Sequence, residues 1–358
     1  MTPEIRRIGE DDLPAFIDSM STGFLARPDV DKVVADVRPL WDLNRAWAAF
    51  EGGRIVGTYR TWPTELTVPG NAHIPGSSVT NVTVLPTHRR RGVLRGMVAA
   101  EHAASRERGE AVALLYASEY PIYGRFGYGP GCFESTWTLD TRATSFHGEP
   151  AGTVELATPS PETRDLIKGV YDAWRVEHAG EIRRRDSSWD FDLGLRESAW
   201  DPRWKGFLAL HRDASGVVDG YARYRSEDKW ENHQPRNMLL VDELHALDDE
   251  AYLALWRYLA DIDWVATVKA ERRSPFERLR WFLTNARAAV LSDVGDGMWV
   301  RLFDVSRALE TRTYEREGNV VLELVDPEAT GGRTRIQLDA TGGRATARPS
   351  RRSPDLTL

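Results

Sequence analysis

Val82-Thr83-Val84-Leu85-Pro86-Thr87-His88-Arg89-Arg90-Arg91-Gly92-Val93-Leu94-Arg95-Gly96 reads as the end of a strand, a basic loop and the start of a helix. Thr83 between two valines is the alternation of a strand with one buried face. Pro86 cannot continue a ladder, so the strand ends before it. From Val93 onward, apolar residues at Leu94, Met97 and Val98 and an alanine-rich run to Ala104 predict a helix with one buried side. Gly92 allows close backbone approach, and the first N–H groups of a helix have no internal partner. Those donors, with Arg89, Arg90, Arg91 and Arg95 around them, make a place for a phosphorylated ligand.

Charge alone gives a second reading of the three arginines, as a solvated surface or a nucleic-acid patch. They lie, however, at the helix end whose dipole disfavours cations, and a bound anion would offset that mismatch. The loop is not a P-loop, since no Lys-Ser or Lys-Thr follows Gly92, and it lacks Gly-x-Gly-x-x-Gly.

Residues Ala111 to Ala117 form a short apolar run of the kind found in a buried strand, and Ser118-Glu119-Tyr120-Pro121-Ile122-Tyr123-Gly124-Arg125-Phe126-Gly127-Tyr128-Gly129 follows it. Strand, basic loop, helix, strand and aromatic-glycine turn together resemble the acetyl-CoA core of the GNAT N-acetyltransferase superfamily. Its loop pattern is Arg/Gln-x-x-Gly-x-Gly/Ala, and Leu94 departs from the last position. Thr87-His88-Arg89-Arg90-Arg91-Gly92 with Leu94-Arg95, followed by Ile122-Tyr123-Gly124-Arg125-Phe126-Gly127-Tyr128-Gly129, is similar to the Eis (enhanced intracellular survival) acetyltransferases.

The resemblance implies an α+β protein of tandem GNAT folds, each a mixed central sheet flanked by helices, followed by a sterol-carrier-protein-like α/β domain. The expected division is residues 1–145 for an acetyl-CoA-binding domain, 146–293 for a second GNAT-like domain without a cofactor site, and 294–358 for the third. Patterning supplies the elements. Ala46–Glu51 and Arg54–Tyr59 flank Gly52-Gly53 as a hairpin, and residues 161–178 read as a helix. Strands 207–211 and 217–224 turn through Asp213-Ala214-Ser215-Gly216, and Glu250–Asp261 is helix-patterned. Gly297 to Val305 match the opening of the third unit, with strands at 320–325 and 334–338. In that family the chain runs on beyond the segment matching Ser353 to Leu358, completing the domain and bringing a terminal carboxylate to the active site as base. The third unit is therefore expected to be incomplete here, and the base role is not given to Leu358.

The site residues follow by position. Tyr123 matches the catalytic tyrosine, the general acid for the departing thiolate. A phenol near pKa 10 and a thiol near 8.5 are close enough for proton transfer to be nearly balanced. Deprotonating a lysine-like ammonium at pH 7 costs roughly 4 to 5 kcal/mol, so a base or water chain is also required. Val82, Thr83 and Val84 match strand-edge contacts to the pantetheine arm. Arg90, Arg91, Gly92, Val93, Leu94 and Arg95 match the pyrophosphate loop, and Ser118 and Glu119 match residues near the thioester.

With 358 residues the chain has room for two or three domains, and a net charge of −7 makes a dedicated nucleic-acid binder an unfavoured class. Cys132 is the only cysteine, which excludes an internal disulfide and a thiolate metal cluster. The histidines show no metal spacing, so no metal is expected. The start of the chain does not read as a signal peptide and no apolar run is long enough for a membrane span, so a cytoplasmic setting is expected. The arginine runs Arg183-Arg184-Arg185 and Arg351-Arg352 read as solvated faces, and the tryptophans as core and interface packing. The function expected is acetyl-CoA-dependent N-acetylation of small cationic amines, aminoglycoside- or polyamine-like, or of lysine side chains. The resemblance also implies a homohexamer. A catalytically impaired acyl-CoA-binding regulatory protein is the alternative.

Overall fold

The computed structural model describes residues 3–200, 202–326 and 332–358; Met1 and Thr2 of the N-terminal stretch lie outside them. Strands β1 (Glu4–Arg7), β2 (Ala46–Glu51), β3 (Arg54–Val68) and β4 (Ala72–Val84) form an antiparallel meander, joined across β2 and β3 by Gly52 and Gly53 at φ 57° and 77°. Two positive φ angles in a two-residue turn match the right-handed twist of the flanking strands. Helices α1 (Leu13–Gly23) and α2 (Val30–Val37) cover one face, where Leu13, Phe16, Ile17 and Met20 pack on Ala46, Ala48 and Ile55. Helix α3 (Val93–Glu107) covers the other, with Val93, Met97 and Val98 against Ala49, Val56 and Tyr59. Strand β5 (Val112–Tyr116) then runs parallel to β4, and the short helix α4 (Tyr120–Tyr123) leads to β6 (Gly129–Pro130).

The next strand, β7 (Phe133–Asp140), leaves this sheet for a second one. That sheet contains β8 (Thr153–Ala157), β9 (Phe207–Arg212) and β10 (Val218–Glu227). A small hairpin, β11 (Trp230–Glu231) with β12 (Gln234–Pro235), precedes β13 (Asn237–Ala246), β14 (Val265–Arg273) and β15 (Ala289–Asp296) of the same sheet. Its helices are α5 (Pro161–Val176), α6 (Asp186–Asp192), α7 (Asp249–Asp261) and α8 (Leu279–Phe282). The order of elements repeats that of the first unit.

One expectation is corrected here. Met298–Leu302, read as the start of the third unit, is β16 and lies in the first sheet, antiparallel to β5 from Met298↔Tyr116 to Leu302↔Val112. Conversely β7, from the first stretch of chain, is held between β14 and β15. Each sheet therefore takes a strand from the neighbouring stretch, because the outer edge of β5 and the gap between β14 and β15 both need a partner. The last unit is helix α9 (Val305–Thr311) against a four-stranded sheet of β17 (Gly318–Val325), β18 (Arg333–Thr341), β19 (Arg344–Pro349) and β20 (Leu356–Thr357).

The chain between α5 and α6 adds to the edge of β3. Thr67 N–H bonds to Glu181 and Gly180 N–H to Thr67, at 2.8 and 2.9 Å. This places Arg183, Arg184 and Arg185 at the seam, and only Arg183 is exposed. Arg184 turns inward to the buried Glu243, its guanidinium 4.1 Å from the ring of Tyr171, and Arg185 lies 4.3 Å over Trp62. The reading of all three as a solvated face fails because a buried carboxylate draws in a counter-charge. Arg351 and Arg352 are exposed as expected. The tryptophans divide, with Trp189 and Trp256 buried and Trp264 and Trp281 exposed.

Candidate active site

Strands β4 and β5 pair at Gly76↔Val112, Ser77↔Ala113 and Ser78↔Leu114 and then separate, while β4 runs on to Val84. The result is a wedge-shaped gap with one strand edge along it. A bulge shapes that edge: Thr58 faces Thr83 but Arg60 faces Thr80, so Asn81 and Val82 together oppose Tyr59, with Asn81 at φ 53°. Leu85 N–H bonds to the Val56 carbonyl at 2.9 Å. Alternation then turns the main-chain groups of Val84 and Val82 away from β3 and into the gap. Thr83 points its main chain toward β3 instead, and its hydroxyl lies 2.9 Å from that of Thr58. Of the three expected edge residues, two therefore offer main-chain groups and the third packs. The packing is close, since a Cβ on Gly23 at the end of α1 would come within 2.5 Å of Thr83 Cβ.

The basic loop closes the wide end. Gly92 caps α3 at φ 81° without a side-chain hydrogen bond, and Arg90 is also left-handed at φ 63°. A Cβ on Gly92 would meet nothing within 4 Å, so the backbone angle rather than space is what asks for glycine there. The first bond of the ladder runs from Gly96 N–H to the Gly92 carbonyl, which leaves the N–H groups of Val93, Leu94 and Arg95 outside the helix's own ladder. Arg91 is paired with Glu51, and His88 reaches the same carboxylate at 2.8 Å. The hydrogen bond from Arg91, with the neighbouring His88, holds Glu51 below the usual carboxylate range. Arg91 can thus serve the loop through its main chain, while the Arg89, Arg90 and Arg95 side chains are exposed.

Tyr123 sits at the end of α4, buried with Val79, Leu115, Tyr59 and Tyr128, its ring edge-on to Tyr128 at 5.9 Å. Burial, then the charge of Glu119, pushes its phenol above the ordinary value, so it carries its proton at neutral pH. The competing tyrosines are less suited. The Tyr128 hydroxyl is 3.1 Å from His102 Nε2, and Tyr120 is exposed with its ring against Trp299. Ser118 and Glu119 are exposed in the turn between β5 and α4. On the α1–α2 face the structure adds residues the sequence did not mark: Arg60 bonds through Nε to Asn81 Oδ1 at 2.8 Å, with Trp41 and Trp62 beside it. A charged side chain at a buried strand position was the available signal.

The second unit has a corresponding gap. Strands β13 and β14 pair in parallel from Asn237 to Val241 and then part. Here Arg273 fills the space, donating to the Leu244 carbonyl at 2.8 Å and pairing with Glu277. Helix α7 is capped by Asp248, whose carboxylate accepts from Ala251 N–H, and Asp249 and Glu250 occupy its first turn. These acids oppose a pyrophosphate where the first unit presents arginines and free N–H groups.

Two family models, each described as an acetyltransferase (GNAT) domain, match residues 4–131 and residues 180–302. A Streptomyces griseus protein named as an uncharacterized N-acetyltransferase is 39% identical over 370 residues, covering 100% of this chain and 88% of its own. The N-acetyltransferase Eis of Mycobacterium tuberculosis is 34% identical over 316 residues, covering 86% of this chain and 74% of its own. The chain belongs to the GNAT N-acetyltransferases, in the Eis-related group. The crystal structure of Eis1 from Mycobacterium abscessus superposes on this GNAT enzyme with a TM-score of 0.85 at 31% identity, covering 99% of this chain and 87% of the other. Two GNAT domains and a further C-terminal sheet make up this acetyltransferase, and membership implies an acyl-CoA co-substrate. The second match ends at residue 302, the last of β16, so the strand that completes the first sheet belongs by sequence to the second GNAT domain.

Proposed function

We propose that this enzyme transfers an acetyl group from acetyl-CoA directly to a primary amine in the first domain, with Tyr123 as general acid. The observation that carries this reading is the gap between β4 and β5, opening onto the uncapped start of α3. The residues there suit the group. Val82 and Val84 offer alternating main-chain donors and acceptors of the kind an amide-containing pantetheine arm can pair with. The N–H groups of Val93, Leu94 and Arg95, with the side chains of Arg90 and Arg95, suit a pyrophosphate. When bound, acetyl-CoA supplies an activated thioester: the amine nitrogen forms the new C–N bond, the C–S bond breaks, the amine gives up a proton and CoA leaves as its thiol.

The chain's part is to align and to supply a proton. Pairing along β4 fixes the direction of the arm, and the dipole of α3 holds its anionic end. Tyr123 keeps its proton at neutral pH and lies in the same core cluster as Val79 of β4 and Leu115 of β5, where the two strands begin to part. In the second domain Arg273 and the acidic start of α7 leave a corresponding ligand neither space nor charge, so one CoA per chain is the stoichiometry of this reading.

The test is release of free thiol from acetyl-CoA by the purified protein over a panel of amines, including aminoglycosides, polyamines and lysine peptides. Thiol release that depends on the amine supports acyl transfer. Calorimetric binding of acetyl-CoA with no thiol release from any amine would replace it with the regulatory, binding-only reading.

A further inference from the structure

Tyr128 follows the helix α4 that carries Tyr123, and it is tied to that residue twice. Its N–H bonds to the Tyr123 carbonyl at 3.3 Å, across a turn in which Gly127 takes the left-handed angle of 78°. Its ring meets the Tyr123 ring edge-on, with centroids 5.9 Å apart and planes at 72°. A third tie leads elsewhere. The Tyr128 hydroxyl lies 3.1 Å from Nε2 of His102, which is 1% exposed on α3 and packs edge-on to Phe303 at 4.9 Å. Tyr59, the β3 residue opposite the bulge of β4, closes the same cluster; burial, then the Tyr128 phenol, lifts its own phenol well above the ordinary value.

The place of His102 gives this chain of contacts a direction. It stands about 13 Å along α3 from Val93, at 1.5 Å per residue, on the helix whose first N–H groups face the wedge. The helix end that suits the anionic part of CoA and the residue that holds Tyr128 therefore belong to one element. A phenol that gives its proton to a departing sulfur cannot be anchored through that proton, so its aim has to come from its ring and its main chain. Ring packing alone is weakly directional, whereas a buried hydrogen bond near 3 Å fixes both distance and angle. Packing alone would be served by an apolar pair at positions 102 and 128; a buried polar pair selects one arrangement.

We infer that His102 and Tyr128 are positioning residues for the transfer: their hydrogen bond sets the ring on which Tyr123 rests, and so fixes the acid relative to the thioester of a CoA whose pyrophosphate sits on α3. This rests on Tyr123 being the general acid. A displacement of about 1 Å near a reacting group costs about a hundredfold in rate. The bond therefore acts on kcat and leaves the cofactor's own contacts alone.

The experiment uses the full chain in the thiol-release assay, with the amine of the panel that the wild type acetylates fastest, and compares single and double variants. Tyr128→Phe should lower kcat by about tenfold to a hundredfold, with KM for acetyl-CoA and for the amine within about threefold of the wild type. Joined to Tyr123→Phe it should slow the enzyme no further, since the acid it aims is gone. His102→Leu breaks the same bond from the other side and should repeat both results, which decides the matter if a melting curve shows Tyr128→Phe unfolded. His102→Gln, which keeps a bonding group near the place of Nε2, should be faster than His102→Leu. Wild-type kcat in Tyr128→Phe or His102→Leu, equal factors lost in the wild-type and Tyr123→Phe backgrounds, or His102→Gln as slow as His102→Leu would overturn the inference and leave acyl transfer standing. Tyr123→Phe as fast as the wild type would remove the general-acid reading and this inference with it.

Discussion

Arg273 donates to the Leu244 carbonyl across 2.8 Å, and so fills in the second domain the gap that β4 and β5 leave open in the first. The guanidinium is fixed by Glu277 at 2.8 Å, and the Tyr252 hydroxyl bonds to the same carboxylate. Burial alone would raise the pKa of Glu277, but Arg273 holds it below the ordinary range. Arg273→Met removes the cation and leaves a buried carboxylate unpaired, which should cost about 3 to 5 kcal/mol. A melting curve reads the loss. Calorimetry should still give one acetyl-CoA per chain in wild type and variant alike; two in the wild type would mean that this plug does not close the second gap.

Tyr123→Phe removes the phenol and little else, because the ring packs against Tyr128 at 5.9 Å and keeps its place in the core. Loss of a general acid should lower kcat by about 10²- to 10⁴-fold. Acetyl-CoA affinity, measured by calorimetry, should stay within a few-fold. Since burial raises the Tyr123 pKa above its ordinary value, the protonated form persists through the neutral range. The wild-type rate should therefore show no alkaline decline from this group below about pH 10. A variant as fast as the wild type would remove Tyr123 from the mechanism.

Much of the fold around the candidate site was legible because its signals are local. Alternation at Thr83, the stop at Pro86 and the apolar spacing after Gly92 are each carried by a few nearby residues, and the strand, loop and helix fall where those residues put them. In the sequence Gly92 speaks only for close backbone approach; its left-handed φ is what the structure adds. The hairpin at Gly52-Gly53 is of the same kind. The exchange of β7 and β16 has no local mark, since Met298–Leu302 pairs with residues more than a hundred positions earlier. The fate of Arg184 and Arg185 was hidden for a similar reason. A run of arginines looks solvated until Glu243 from β13 and Trp62 from β3 are brought beside it. Arg60 was missed more narrowly: the strand was read as ending at Tyr59, whereas β3 continues to Val68.

Gly92→Ala tests the loop without touching a charge. The added methyl has open space around it, so any effect comes from the left-handed backbone angle of 81°. Holding alanine there should cost about 1 to 2 kcal/mol. The cheapest relief is a change in loop conformation that swings the N–H groups of Val93 and Leu94 off line. Acetyl-CoA should then bind roughly tenfold more weakly, at about 1.4 kcal/mol per factor of ten, with kcat at saturation changed less. Unaltered affinity would show that those donors do not hold the pyrophosphate.

His245 sets a pH dependence of stability. It is buried between Trp174, 4.0 Å away, and Tyr171, with Nε2 2.8 Å from Glu243 Oε1. Burial lowers its pKa, and Arg184 and Arg273 press in the same direction; Glu243 opposes them without reversing the shift. Burial would raise Glu243 itself, but Arg184 and then His245 hold that carboxylate well below its usual range. The sign follows from proton counting. Below about pH 6.5 the unfolded chain takes up a proton at this histidine that the folded chain refuses, so stability falls as pH drops from there toward the folded value. The contribution of Glu243 is present above about pH 4.3 and is lost only at lower pH. His245→Gln keeps a donor for Glu243 but cannot titrate, so the fall in melting temperature between pH 7.5 and pH 5.5 should be smaller in the variant than in the wild type. Equal falls in the two proteins would mean that His245 is already charged in the fold, or that its proton is not linked to folding.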